Sequence, residues 1–479
     1  MSSMLTRLIA GIVLFAAATA APSVALGEWT FVPPATVGES EDIFTAVDGT
    51  DADDVWAAGL WENPNAQCLI EHFDGVSWTK LPVPAVGSSE RLKGILAVSR
   101  DHALAVGYKT SFNTAQPIAV EWNGAAWAQI PVPEFPAGRR FTAIDQTPGG
   151  EIWVAGSQAG SGFLARRTGG DWSFEIAPPF ADRMSRFFGM HAAADDQVWV
   201  VGSSEDGMGG FRILIHRYDG NSSWTVFDIP TPGLDIDRLW GVHSSAPDDV
   251  WAVGEYYHPV SLSTQPLIMH FDGTAWTHLE LPDYPEGPAH LRAIAARAPD
   301  DIYAAGTYGL GPSPALPRPF MLHYDDVTWS DVVLPPTGGV AEWFLGMAAI
   351  PNGDVWAVGQ YSDGASMEPM AFRNPMATTA VGERQAAGPA AVLLSVPNPF
   401  QSQTSAHLTL DRPGLVRLGV LDVSGRLVRR LVLSEFGAGP HVFPWDGLDS
   451  NGRPVPAGIY FYDLDVGGQT ARQKVIRVR

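Results

Sequence analysis

Apolar positions in this chain fall in short runs broken by Asp, Asn, Gly and Pro, and one phrase recurs among them. Asp54-Val55-Trp56-Ala57-Ala58-Gly59 returns as Asp249-Val250-Trp251-Ala252-Val253-Gly254 and as Asp354-Val355-Trp356-Ala357-Val358-Gly359. Looser copies start at His102, Glu151, Gln197 and Asp301, which makes seven. Their aromatic position reads Trp56, Leu104, Trp153, Trp199, Trp251, Tyr303 and Trp356, spaced 46 to 53 residues apart. Around the fifth copy the pattern predicts four strands. Leu239 to His243 is the first, Val250 to Glu255 the second, Pro266 to Phe271 the third and Ala275 to Leu279 the fourth. Asp272-Gly273 joins the last two, and Asp74-Gly75, Asn123-Gly124, Gly169-Gly170 and Asp219-Gly220 stand at the same place elsewhere. Such pairs suit two-residue hairpin turns with positive φ at both centres.

Four short antiparallel strands repeated about every 50 residues mark propeller blades. A solenoid would show capping repeats and fewer elements per turn. Six fourth strands carry a Trp (Trp78, Trp127, Trp172, Trp224, Trp276, Trp329) against seven second strands. The missing one is found at the other end of the chain, in Glu28-Trp29-Thr30-Phe31-Val32-Pro33-Pro34. The expectation is therefore an all-β chain. Residues 28–375 form a seven-bladed β-propeller closed by an N-terminal strand, and a small C-terminal β-sandwich follows.

Residues 376–393 are rich in Ala, Gly and Thr and read as a linker. Residues 394–479 alternate strand-like runs with Ser-Gly, Asn-Gly and Gly-Gly turns, as a β-sandwich would. The tail also carries Val396-Pro397-Asn398-Pro399-Phe400, Gly419 to Arg429, Trp445-Asp446-Gly447, Val455 to Tyr460 and a terminal Lys474 to Arg479. In order and spacing these motifs resemble the FlgD-like immunoglobulin-type domain and the related C-terminal sorting domain of type IX secretion. That resemblance implies passage across an outer membrane and attachment to the surface, with the secretion machinery as partner. The propeller phrase itself resembles repeats of exported bacterial proteins, which implies a fold and no activity.

Arg7, the apolar stretch Leu8 to Ala21 and the small residues Ala18, Ala20, Ser23 and Ala25 read as a signal peptide over residues 1–25. No later segment holds 18 apolar residues, so no transmembrane span is expected in the mature chain. The expected location is secreted, extracellular or on the outer-membrane surface. Formal net charge is −22, which disfavours nucleic acid as a partner. Cys68, the only cysteine, opens the apolar stretch Cys68-Leu69-Ile70 and reads as a small buried hydrophobe.

No phosphate loop, His-Glu-x-x-His or Gly-x-Ser-x-Gly occurs. The residues name no catalytic group, no cofactor and no metal. Asp446, Asp449 and Asn451 lack the distal carboxylate of a calcium loop and read as a turn. His191 and His243 occupy equivalent first-strand places in adjacent blades, but Asp145, Ala295 and Ala348 hold the same place elsewhere, against a metal ring. The repeated Asp before each second strand reads first as a turn former. One pattern does suggest recognition. The position just before each first strand reads Ile43, Arg91, Arg140, Arg186, Arg238, His290 and Trp343. It predicts a cationic collar at the channel mouth, suited to a carboxylated or phosphorylated ligand. Local pairing of these arginines with Glu90, Asp182 or Asp237 is the competing reading. Long loops at Tyr256 to Thr264 and Tyr308 to Arg318 offer further recognition surface. The expected function is a surface binding or interaction protein whose partner is an acidic polysaccharide or a surface protein. A polysaccharide hydrolase or lyase is the alternative, and a structural repeat module without a small ligand is the third.

Overall fold

A computed structural model describes residues 29–376 and 391–478, with interruptions at 36–40, 63–64, 112–113, 133–137, 159, 179–183, 206–208, 230–231, 235, 282–283, 285–286, 310–315, 352, 397–399, 411–413, 422–426, 438, 450–452 and 467–468. The leader at 1–25, most of the linker, Asp182, Asn451 and the tip of the Tyr308 to Arg318 loop lie outside the described residues. The chain is a seven-bladed β-propeller followed by a small β-sandwich. Seven four-stranded antiparallel sheets succeed one another. Their inner strands are Asp42–Asp51, Glu90–Ser99, Arg139–Gln146, Ser185–Ala194, Arg238–Ala246, Ala289–Ala298 and Ala341–Ala349. Each inner strand packs against the next, and Asp42–Asp51 packs against Ala341–Ala349, so the ring closes. No helix is long and apolar enough to cross a membrane among the described residues.

The repeated phrase is the second strand of every blade, and its side chains are buried on both faces. A strand between two layers of neighbouring blades meets no water on either side, so it reads as a continuous apolar run. The interlock between blades is aromatic. An outer-strand Trp packs on the second-strand aromatic of the preceding blade. Trp127 meets Trp56 at 5.5 Å, Trp276 meets Trp199 at 5.4 Å and Trp329 meets Trp251 at 5.6 Å, all edge to face. Edge-to-face geometry adds a favourable quadrupole term to the burial.

The seam obeys the same rule. Thr30–Phe31 pairs with Met367–Asn374 and supplies the outer strand of the seventh sheet. Trp29 stands edge-on to Tyr303 of blade six at 5.4 Å, while Trp78 of blade one meets Trp356 of blade seven at 5.4 Å. Ala35 then donates its N–H to the buried Glu71 carboxylate of blade one at 2.9 Å. The N-terminal segment therefore touches blades six, seven and one.

The hairpin turns differ from expectation. Only Gly169-Gly170 has positive φ at both centres, joining Thr168 directly to Asp171. In blade four Gly220, Asn221 and Ser222 all take positive φ while the Asp219 carboxylate binds Arg217 and Thr225. In blades one, two, five and six the Asx side chain builds a four-residue loop. The Asp74 carboxylate accepts the N–H groups of Val76 (3.0 Å) and Ser77 (2.9 Å), and Gly75 alone takes positive φ. Asn123, Asp272 and Asp325 do likewise. A side chain that mimics a backbone turn removes the need for two left-handed residues.

In the tail, a three-stranded and a four-stranded sheet enclose one core around Trp445, Tyr462, Leu408 and Leu418. Its first strand, Ala391–Val396, begins inside the stretch read as linker, because Ala391, Val392 and Leu393 pair with Leu410, Thr409 and Leu408. The sandwich rests on blade six. Arg430 pairs with Asp331 at 2.5 Å, and Arg417 donates to the Asp331 carbonyl.

Candidate functional site at the channel mouth

The last residue of the phrase explains how the channel is lined. A Cβ on Gly59 or Gly254 would lie 1.8 Å from the carbonyl oxygen of Ile43 or Arg238, the residue opening the first strand of the same blade. Glycine alone lets the two strands approach that closely. Where they do, the first strand bulges. In all seven blades the register skips one residue: Thr45, Lys93, Thr142, Phe188, Trp240, Arg292 and Leu345. A bulge re-aims the unpaired side chain. All seven line one cavity of about 580 Å³, together with Tyr108, Gly138, Arg140, Ser157, Gln158, Gly160 and Arg186. That volume lies within the range of small-molecule sites.

Two of the collar residues read from sequence, Arg140 and Arg186, line this cavity and are exposed. Arg91, Arg238, His290 and Trp343 do not line it. Arg238 lies over Phe211 at 4.5 Å and reaches Glu255 at 3.8 Å. His290 approaches the other Glu255 oxygen at 4.0 Å, and burial, aided by Arg292, brings its pKa down to about 4. The Arg91 Nε is buried without a hydrogen-bond partner. Of the acids offered as local partners, Glu90 takes the N–H groups of Val86 and Gly87, and Asp237 takes those of Gly233 and Tyr257. Both carboxylates tie loops to strands.

Lys93 and Arg292 come two residues after collar positions and escaped the sequence reading. The signal that marks them is the glycine of the phrase, which implies a bulge and hence a shift in which residue faces the axis. Lys93 is half-buried, and burial followed by the charges of Arg91, Arg292 and Arg140 brings its pKa down to about 8. The Arg292 guanidinium carbon lies over the Trp240 ring at 3.8 Å. Trp240 stacks on Phe188 at 4.4 Å and donates its indole N–H to Glu255 at 3.2 Å. Arg140 lies over Tyr108 at 4.9 Å. Lys93, Arg140, Arg186 and Arg292 form no ion pair among the described residues.

Further along the first strands, a ring of titratable groups serves the blades. Asp48 accepts the N–H of Ala97 (2.8 Å), Asp145 that of Ala192 (2.9 Å), and His243 Nδ1 that of Ala296 (3.3 Å), each from the next blade. The His191 and His243 rings stack at 4.2 Å, and His191 pairs with Asp145 at 2.8 Å. Burial raises Asp48 to about 7 and lowers His243 to about 3. Burial also pushes Asp145 upward, but the His191 contact and two backbone N–H donors bring it below the usual range. Among the described residues no group of three or more His, Cys, Asp or Glu is placed to hold a metal.

A third set of polar residues shows a pattern that sequence inspection missed. The phrase Asp does more than form a turn. Asp54 accepts from Trp56 Nε1 (3.1 Å), contacts His72 Nε2 (2.8 Å) and bonds Thr50. Asp249 repeats this with Trp251, His270 and Ser245. Asp301 does so with His323 and Arg297. Each imidazole also lies on its blade's aromatic ring at 3.9 to 4.4 Å. Blade two reverses the pair as His102 and Glu121, and blade seven uses Asp354 and Arg373. These histidines look scattered because their partners lie 18 to 22 residues earlier. They lock second strand to third and stay away from the cavity.

Residues 398–469 match the model of the FlgD Ig-like domain. The basal-body rod modification protein FlgD of Salmonella typhimurium is 40% identical over 60 residues, which are 12% of this chain and 26% of that protein. The chain thus spans about a quarter of that relative's length. Among solved structures, PorZ, a surface component of the type-IX secretion system of Porphyromonas gingivalis, is similar over 94% of this chain and 60% of its own. The identity is 12% and the TM-score 0.47. YCF48 from Cyanidioschyzon merolae is similar over 73% of this chain and 98% of its own, at 14% identity and TM-score 0.46. An ulvan lyase, a polysaccharide lyase, covers 70% of this chain and 95% of its own, at 10% identity and TM-score 0.43.

Proposed function

We propose that this chain is a secreted or cell-surface propeller that binds an anionic ligand, an acidic glycan by class, at the channel mouth. One observation carries the reading. Four cationic side chains converge on one cavity of an otherwise acidic protein and form no ion pair among the described residues, although the Glu255 carboxylate is near enough to Arg292 to act on its charge. Converging cations beside low-dielectric walls raise the local concentration of anions. The remaining lining alternates hydroxyl and amide groups (Thr45, Thr142, Ser157, Gln158) with aromatic faces (Tyr108, Phe188). That mixture suits a sugar, which carries both hydroxyls and apolar C–H faces. Export rests on the leader-like N-terminus, and attachment to a secretion apparatus rests on the FlgD-like tail.

The test is binding of the full chain to immobilised alginate, chondroitin sulfate and neutral dextran. Retention on the acidic polymers alone, weakening as salt rises, is the expected result. Equal retention on dextran, or none on any polymer, overturns the reading. The alternative, a polysaccharide hydrolase or lyase, gains one observation. Lys93, with its lowered pKa, is a candidate proton acceptor beside arginines able to neutralise a uronate. Release of reducing ends in the same assay, abolished in Lys93→Met, would select it.

A further inference from the structure

We propose that the bulged residues clamp a single anionic group on the propeller axis, held from opposite walls by Lys93 and Arg292. The proposal rests on the channel-mouth reading and says which side chains do the work. Lys93 belongs to the second inner strand and Arg292 to the sixth. Around a ring of seven these blades are three steps apart, so the two residues face each other across the lumen. Their charges are close enough to act on one another, since Arg292 is among the groups that lower Lys93. The other charges that face Lys93 are Arg91 on its own strand and Arg140 on the next blade, all cationic. Two half-buried like charges repel unless an anion stands between them. Both side chains line the one cavity such an anion would enter.

The second jaw is pre-set. Glu255 accepts the Trp240 indole N–H, Phe188 stacks on the Trp240 ring, and the Arg292 guanidinium carbon lies over that ring at 3.8 Å. Contact with the indole face restricts the guanidinium, whose five N–H groups can fork onto two oxygens. Less side-chain freedom then remains to be lost when an oxyanion arrives. Trp240 is a positioning residue, acting through Arg292. The ligand class is a carboxylate, sulfate or phosphate ester at the end or edge of a larger molecule. Sugar uronates and sulfate esters share this chemistry.

The experiment titrates the full chain with sodium sulfate and, separately, sodium acetate, by calorimetry and tryptophan fluorescence. Wild type is expected to bind sulfate saturably. Lys93→Met and Arg292→Met should each weaken binding at least about tenfold, as loss of a charge-assisted contact does. Lys93→Arg should retain it, which separates loss of charge from misfolding. Arg212→Met, exposed on a third strand and outside the cavity, should stay within about threefold. Trp240→Leu should fall with Arg292→Met while Trp240→Phe keeps the stack and recovers binding. At about pH 8.5 sulfate binding should draw a fraction of a proton from buffer, because the anion restores the Lys93 charge. That uptake should vanish at about pH 6.5 and in Lys93→Arg. Absence of saturable binding of both anions, or binding unchanged in Lys93→Met and Arg292→Met, overturns the clamp. Sulfate or acetate binding that follows these variants, without retention of any acidic polymer, keeps the clamp and removes the glycan reading. Polymer retention that ignores both residues does the reverse. Stronger response to sulfate than to acetate would point to sulfate esters, and the opposite order to uronates.

Discussion

Replacing Trp29 by Ala should destabilise the whole propeller, although the residue precedes a strand of only two residues. Trp29 is 7% exposed and stands edge-on to Tyr303, inside the cluster that also holds Phe344, Phe372 and Met370. Its indole nitrogen is buried without a partner, so truncation removes packing and leaves no broken hydrogen bond. A buried Trp→Ala change costs about 3–5 kcal/mol. The unfolding entropy is about 2.1 cal/mol/K per residue, and over roughly 350 residues the corresponding fall in Tm is about 4–7 °C. Differential scanning calorimetry of the full chain measures it. Trp78→Ala is the internal standard, because Trp78 makes the same contact with Trp356 one blade along. If the N-terminal strand closes the ring, the two variants fall together within about 1 kcal/mol. A Tm loss below about 1 °C for Trp29→Ala, beside a full loss for Trp78→Ala, would refute closure through this strand.

Three further outcomes follow from the packing and the charges. Gly254→Ala places a Cβ against the Arg238 carbonyl and should cost about 3 kcal/mol or more by overpacking, with a change in Trp240 fluorescence as the bulge is lost; urea unfolding reads the first and emission the second. His216 is fully buried, has no hydrogen-bond partner, and burial brings its pKa down to about 4. As pH falls below about 6.5 the unfolded chain takes this proton first, so stability is lost between about 6.5 and 4, by up to about 3 kcal/mol. His216→Leu should remove that share, seen as a smaller difference in urea midpoint between pH 7.5 and 4.5 than in wild type, and an unchanged difference would refute the argument. Burial works against the Asp54 charge, but His72, Thr50 and Trp56 hold its carboxyl below the usual range. Its stabilisation is therefore present above about pH 4 and fades in stronger acid, so Asp54→Ala should cost about 3 kcal/mol at pH 7 and progressively less below pH 4.

The contrast between collar and clamp shows what kind of information a repeat carries. Aligning first strands brought Arg91, Arg140, Arg186 and Arg238 to one column, of which Arg140 and Arg186 line the cavity and Arg91 and Arg238 do not. Position along a strand was legible, whereas direction was not. A residue left unpaired near the start of each first strand, and a second one further along in five of them, changes which side chains face the axis, because the strand period is two. Hence two arginines of the column line the cavity, while Lys93 and Arg292, two places later, face it as well. The histidines teach a similar lesson. His72, His270 and His323 form a set only when matched to Asp54, Asp249 and Asp301, which neighbouring strands bring together.

By itself the sequence determined the number of blades, their four-strand form, the Trp of each outer strand and the N-terminal strand that completes the ring. These follow from local alternation and from a phrase repeated seven times, both properties of neighbouring residues. Tertiary structure alone decided which side chains point down the axis. That depends on the close approach of a glycine to a carbonyl on the adjoining strand, and on stacking between residues about 50 positions apart, such as Phe188, Trp240 and Arg292.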